Sequence, residues 1–105
     1  MIGFIKKLLG FGPAVNYKAL MENGAVIIDV RTKGEYASGH IKGSTNIPVN
    51  QLNANLGKFK NKEKAIITCC ASGARSGAAK RLLISNGYTN VHNGGSWYSL
   101  RNKIS

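Results

Sequence analysis

The stretch Ala65–Leu83, AIITCCASGARSGAAKRLL, constrains this chain more than any other, because a strand, a cysteine-bearing loop and a helix follow one another without a spare residue. Ala65–Cys69 is a short apolar run with β-branched residues and no period-2 alternation, which predicts a parallel strand covered on both faces at the centre of a sheet. From Ser76 onward Ala79, Leu82 and Leu83 recur at helical spacing, with Lys80 and Arg81 turned away, and Asn86-Gly87 supplies a stop. Between strand and helix stand Ala71, Ser72, Gly73 and Ala74, small residues whose backbone N–H groups can point inward around an anion. A thiolate at Cys70 would face those donors. Loop amides, the helix dipole and the guanidinium of Arg75 would each favour charged sulfur over neutral thiol. Every pKa unit of such depression is worth ~1.4 kcal/mol. Free cysteines are often buried and purely structural. Burial alone does not call for a small-residue loop closed by Arg75 and Ser76.

At 105 residues the chain reads as one folded domain over 14–105, preceded by an amphipathic segment, 1–13. A domain of this size buries roughly two-thirds of its unfolded surface, so no second core fits. Two adjacent cysteines are no disulfide framework, and without a C-x-x-C spacing Cys69, Cys70, His40 and His92 do not read as a metal site. No cofactor is expected, and a reducing, cytoplasmic setting is. The formal charge of +11 comes from 15 Lys and Arg against 4 acids, with Asp29 the sole aspartate and no carboxylate after Glu63. Such an excess concentrates anionic ligands and promotes loose binding to nucleic acid or anionic membrane. Lys58, Lys60, Lys62 and Lys64 read as a solvated loop, and the absence of interleaved aromatic and basic residues makes nucleic acid a minor reading. In Met1–Phe11 the residues Ile2, Ile5, Leu8 and Leu9 share one helical face opposite Lys6 and Lys7. This segment is too short to span a membrane and a poor signal peptide. Residues 2–9 suit weak contact with a membrane surface, but packing on the domain itself is the preferred reading.

Taken in order, Asn16 caps a predicted helix over Tyr17–Asn23 that ends at Gly24. Ala25–Val30 follows as an apolar strand with Asp29 near its end. In open α/β sheets ligands gather beyond the carboxyl ends of strands, which would bring Asp29 and Cys70 to one pocket. Thr32-Lys33-Gly34-Glu35 is a capping-box pattern that starts a short helix at Lys33, stopping at Gly39. His40 is read as packed and bonded to backbone. Ile41–Ile47 contains a brief strand ended by Pro48, Asn50–Leu56 a short helix, and Tyr88–His92 a last strand. Asn93-Gly94-Gly95 reads as a turn, after which Ser96 starts a terminal helix.

Two registers of the cysteine loop imply different chemistry. From Cys69 the spacing is C-x5-R-S, that of cysteine phosphatases, but that pattern wants glycine at position 72, which is Ser. From Cys70 the spacing is C-x4-R-S, and Gly73 falls where the rhodanese-type pattern C-x-S-G-x-R-S has it. The run from Asp29 to Pro48, DVRTKGEYASGHIKGSTNIP, resembles the same rhodanese homology family. It meets D-V-R-x-x-x-E-[YF]-x-x-G-H-I-x-G-[AS]-x-N-[IL]-P at every defined position. The resemblance extends over about residues 15–100. It departs near the end, where Trp97 stands two residues before the family's place and Ser99 fills it.

The resemblance implies an α/β domain of three layers, doubly wound, with a mostly parallel sheet of about five strands and helices on both faces. It assigns Cys70 the catalytic role of carrying a persulfide, whose terminal sulfur is held by amides of Ala71, Ser72, Gly73, Ala74 and Arg75. Arg75 would also attract the donor. Asp29, Arg31 and Ser76 support the loop, with Arg31 and Glu35 able to pair at i,i+4 spacing. The implied activity is a sulfurtransferase passing sulfur from a small anionic donor, thiosulfate or a persulfide, to a thiol, cyanide or protein acceptor. Two rivals stand beside it: a phosphatase or arsenate reductase acting from Cys69, and a non-enzymatic sulfur-carrying or partner-binding module.

Overall fold

The computed structural model describes residues 14–105, so the segment 1–13 and its expected membrane-facing side, 2–9, lie outside the described residues. The elements run α1 (Tyr17–Glu22), β1 (Val26–Asp29), α2 (Lys33–Ala37), β2 (Thr45–Asn46), two 3-10 turns (Val49–Gln51 and Asn53–Lys58), β3 (Ile66–Cys70), α3 (Ala74–Ser85), β4 (Val91–Ser96) and α4 (Trp97–Ile104). The sheet has the order β2-β1-β3-β4 and every pairing is parallel. The expected five strands are corrected to four among the described residues. Every segment between Ala14 and Ser105 outside those four is helix, 3-10 turn or loop.

Sheet alternation sorts the apolar residues into two cores. Ile28, Val30, Ile66 and Cys70 face α3, packing with Ala79, Leu83, Tyr88 and Leu52. Ala25, Ile27, Ile67 and Cys69 face the other way, onto α1 and α4 through Leu20, Met21, Leu100 and Ile104. A strand read as uniformly apolar is thus covered on both sides. Adjacent cysteines consequently belong to different cores.

Local chemistry explains most boundaries. Asn16 accepts the Ala19 amide at 3.0 Å and caps α1. In α2 the Thr32 hydroxyl and the Glu35 carboxylate each take the other's backbone N–H, completing the capping box. His40 stacks on Tyr36 at 3.7 Å with its Nδ1 2.8 Å from the Tyr36 carbonyl. The expected helix over Asn50–Leu56 is corrected to the two 3-10 turns, which the helix-poor residues Asn53, Asn55 and Gly57 favour. The Asn93-Gly94-Gly95 turn is corrected as well: these residues belong to β4, with an irregular register between Thr68 and Cys70 of the neighbouring strand. Glycine is required there for space. A Cβ on Gly94 would meet Ile67 Cγ2 and Leu100 Cδ2 at 2.9 Å and the Thr68 carbonyl at 3.0 Å. The displaced Trp97 opens α4 and lays its ring beside Gly39 and over the Arg31 guanidinium, 4.7 Å from its centroid.

Candidate active site

At the carboxyl end of the sheet, β3 runs one residue further than expected. Cys70, not Cys69, is its last residue. The helix also starts earlier, at Ala74 instead of Ser76, because Gly73 adopts φ 105° and turns the chain directly into the first helical residue. Ala74 and Arg75 therefore stand in the first turn of α3, leaving Ala71, Ser72 and Gly73 as the loop. None of the amides of Ala71, Ser72, Ala74 and Arg75 has a backbone acceptor outside its own element among the described residues.

The Cys70 Sγ sits among donors. It accepts the Gly73 amide at 3.0 Å and the Ser76 amide at 3.4 Å, and lies 3.4 Å from the Ser76 hydroxyl. Burial is the largest influence on this thiol and pushes its pKa up. The Ser76 hydroxyl, then the amides of Ser76, Gly73 and Ser72, outweigh burial and bring the pKa below its ordinary value. The side chain is fully buried, with Ile28, Ile66 and Ala79 on its inner side and exposed Ala71, Ser72 and Ala74 outside.

Cys69 has the opposite environment. It lies in the apolar core on the other face of the sheet, and burial first, then the Asp29 charge, push its thiol up to about 12. A thiol in that state is a poor nucleophile, which removes the geometric basis of the phosphatase register.

Asp29 pairs in register with Cys69, so the expectation that Asp29 and Cys70 face one pocket is corrected: registered residues of parallel strands share a face, and this one is turned from Cys70. Both Asp29 oxygens are taken by Arg31, whose Nη2 is 2.7 Å from Oδ2. Arg31 also donates to the Glu35 and Gly39 carbonyls, bracing α2 and the segment after it. Its expected partner, the Glu35 carboxylate, is engaged elsewhere. Arg75 holds it bidentately at 2.7 and 3.0 Å, tying α2 to α3. Two helices thus clamp the loop through one ion pair, and the Arg75 guanidinium expected to attract a ligand is already matched by a carboxylate.

One residue of the site was not anticipated. Asn93 accepts the Ser76 hydroxyl at 2.7 Å and the Gly95 amide at 2.9 Å, and its Nδ2 donates to the Gly73 carbonyl at 3.1 Å. It thereby fixes both residues that touch Cys70. Its signal in sequence was adjacency to Gly94-Gly95, which turn chemistry explained equally well. Two other clefts, about 410 and 360 Å³, share Phe59 and Lys60 near the amino ends of β1 and β3, away from Cys70.

The arrangement can stabilise a negative charge on the sulfur of Cys70. The chain is similar to known proteins. Residues 14–99 match the model of the rhodanese-like domain. An uncharacterized Bacillus subtilis protein, YqhL, is 38% identical over 69 residues, covering 66% of this chain and 54% of that one. The thiosulfate sulfurtransferase GlpE of Pseudomonas fluorescens is 32% identical over 83 residues, covering 76% of this chain and 72% of that one. The chain thus spans about half the length of the first relative and nearly three-quarters of the second. A solved Escherichia coli rhodanese with anions superposes with a TM-score of 0.68 at 31% identity, covering 72% of this chain and 91% of that one. With two sequence motifs, a parallel sheet ending in the cysteine loop and a family match over most of its length, the chain belongs to the rhodanese-like domain family.

Proposed function

We propose that this chain is a sulfurtransferase of the rhodanese type, moving sulfane sulfur from a small anionic donor such as thiosulfate to a thiol or cyanide. Cys70 is the nucleophile. Its thiolate attacks the outer sulfur of thiosulfate, an Sγ–S bond forms, the donor's S–S bond breaks, and sulfite leaves with the bonding pair. The persulfide so formed keeps one negative charge, and cyanide then attacks its terminal sulfur, releasing thiocyanate and regenerating the thiolate. Amides of Ala71 to Arg75 hold the terminal sulfur in this scheme. Ser76 holds Sγ, and Asp29 with Arg31 supports α2, from which Glu35 steadies Arg75. The relatives named for thiosulfate transfer support the reading.

The single observation that carries it is the cradle of main-chain and hydroxyl donors around the Cys70 Sγ, 3.0 to 3.4 Å away. Oriented N–H groups of this kind stabilise an anion without a metal or a free cation. Treating the protein with thiosulfate and weighing it by electrospray is the test. We expect a mass gain of one sulfur that Cys70→Ser abolishes and Cys69→Ser does not, with thiocyanate production following the same pattern. Full turnover by Cys70→Ser would overturn the assignment.

A further inference from the structure

The chain is strongly basic, but the charged side chains of its site cancel in pairs. The sequence carries +11 and only four acids, Glu22, Asp29, Glu35 and Glu63. Two of the four stand at the carboxyl end of the sheet, each spent on an arginine there, Asp29 on Arg31 and Glu35 on Arg75. These are the ion pairs among the described residues. The Glu35 carboxyl is lowered to about 2, first by its hydrogen bond from Arg75 and then by the Thr32 amide, so the pair is ionised at neutral pH. Both side chains remain about one-third exposed, 35% for Arg75 and 37% for Glu35, and Arg75 stands two residues after Gly73 in the first turn of α3, where the Cys70 charge acts on its guanidinium. What is left for an anion is the backbone cradle, whose partial positive charges amount to a fraction of one elementary charge at the helix start. A second charge on the donor meets a guanidinium already cancelled by a carboxylate.

We propose that Glu35 is a specificity-determining residue: by neutralising Arg75 it tunes the site toward singly charged thiosulfonates over doubly charged thiosulfate as sulfane donors. This rests on the sulfur-transfer reading of Cys70. The chemistry is the same for both donors. The Cys70 thiolate forms a bond to the outer sulfur of a thiosulfonate, the S–S bond breaks, and a sulfinate leaves with the electron pair. Two negative charges stand on each side of the step and no proton moves.

Glu35→Gln isolates the charge, because Gln at the third helical position still reaches back to the Thr32 amide and keeps the capping box. With cyanide as acceptor, kcat/KM is measured for thiosulfate and for methanethiosulfonate. Freeing Arg75 is expected to raise the thiosulfate value about five-fold, through KM, and the methanethiosulfonate value about two-fold, since unscreened attraction scales with donor charge. A second readout needs no turnover: sulfate and methanesulfonate are titrated as protectants of Cys70 against iodoacetamide, and the variant should gain protection by sulfate selectively. If both donors change by one factor, or both fall, Glu35 only braces the loop and the proposal is overturned. If the wild type takes sulfur from neither donor, the sulfur-transfer reading itself falls.

Discussion

At Cys70 the thiol and the thiolate compete for the same surroundings, and the residues nearest the sulfur decide between them. Burial opposes the charge, while the Ser76 hydroxyl and the Ser76, Gly73 and Ser72 amides favour it, with a net lowering from the ordinary 9.0. An acid whose pKa is lowered reaches its reactive form at lower pH. The rate of iodoacetamide alkylation should therefore rise with pH with its midpoint below the ordinary thiol value, and Ser76→Ala should shift that midpoint upward. Cys69→Ser should leave the midpoint in place, because Cys69 belongs to the other core. A midpoint at or above the ordinary value in the wild type would contradict the cradle. The residue scale is also where sequence reading was least complete. Arg75 was legible as a cation near the loop, but its carboxylate partner was not, since Glu35 lies 40 positions away in the chain.

Between elements, two contacts set how the helices and strands around the loop meet. The first is the Glu35–Arg75 pair linking α2 to α3. With the Glu35 pKa lowered from 4.5 to about 2, its stabilisation is fully present above pH 4.5 and is lost as pH falls toward 2. Urea midpoints measured across that window should fall less steeply in Glu35→Gln than in the wild type. The effect should be small, because the pair is partly exposed and screened. The second contact is the approach of β4 to β3 at Gly94, where backbone and two buried side chains leave no room for a methyl group. Gly94→Ala should cost about 1–3 kcal/mol in chemical denaturation, the range for overpacking a filled core. An unchanged midpoint would mean that β4 can move away from Ile67 and Leu100 at little cost. Helix starts were legible where a side chain makes the cap, as at Asn16, Thr32 and Ser96. The start of α3 was misplaced by two residues because its cap is Gly73, a backbone conformation with no side-chain signature.

Over the whole molecule, a chain with a formal charge of +11 carries a site whose own arginines are paired. Long-range attraction and short-range holding are therefore separate. In the sulfur-transfer proposal the overall field draws anions from solution, while the donors around Cys70 favour charge on the sulfur. Raising ionic strength should lower kcat/KM for thiosulfate, with kcat much less affected, because screening acts on the approach of the donor and not on the buried contacts to Cys70. A kcat that fell in parallel would place the salt-sensitive interaction inside the loop.

Features under local control are legible in the chain alone: a parallel strand running up to the two cysteines, small residues after it, the capping box of α2, and the loop spacing that favours Cys70 over Cys69. They are so because periodicity, capping and loop spacing act within a few residues. Tertiary structure alone decided that Asp29 faces away from Cys70, that Asn93 fixes Ser76 and Gly73, and that Arg75 is spent on Glu35. Those facts depend on which face of the sheet each residue takes and on how two helices meet across it. Distances between residues far apart in the chain set them, and no local pattern encodes those distances.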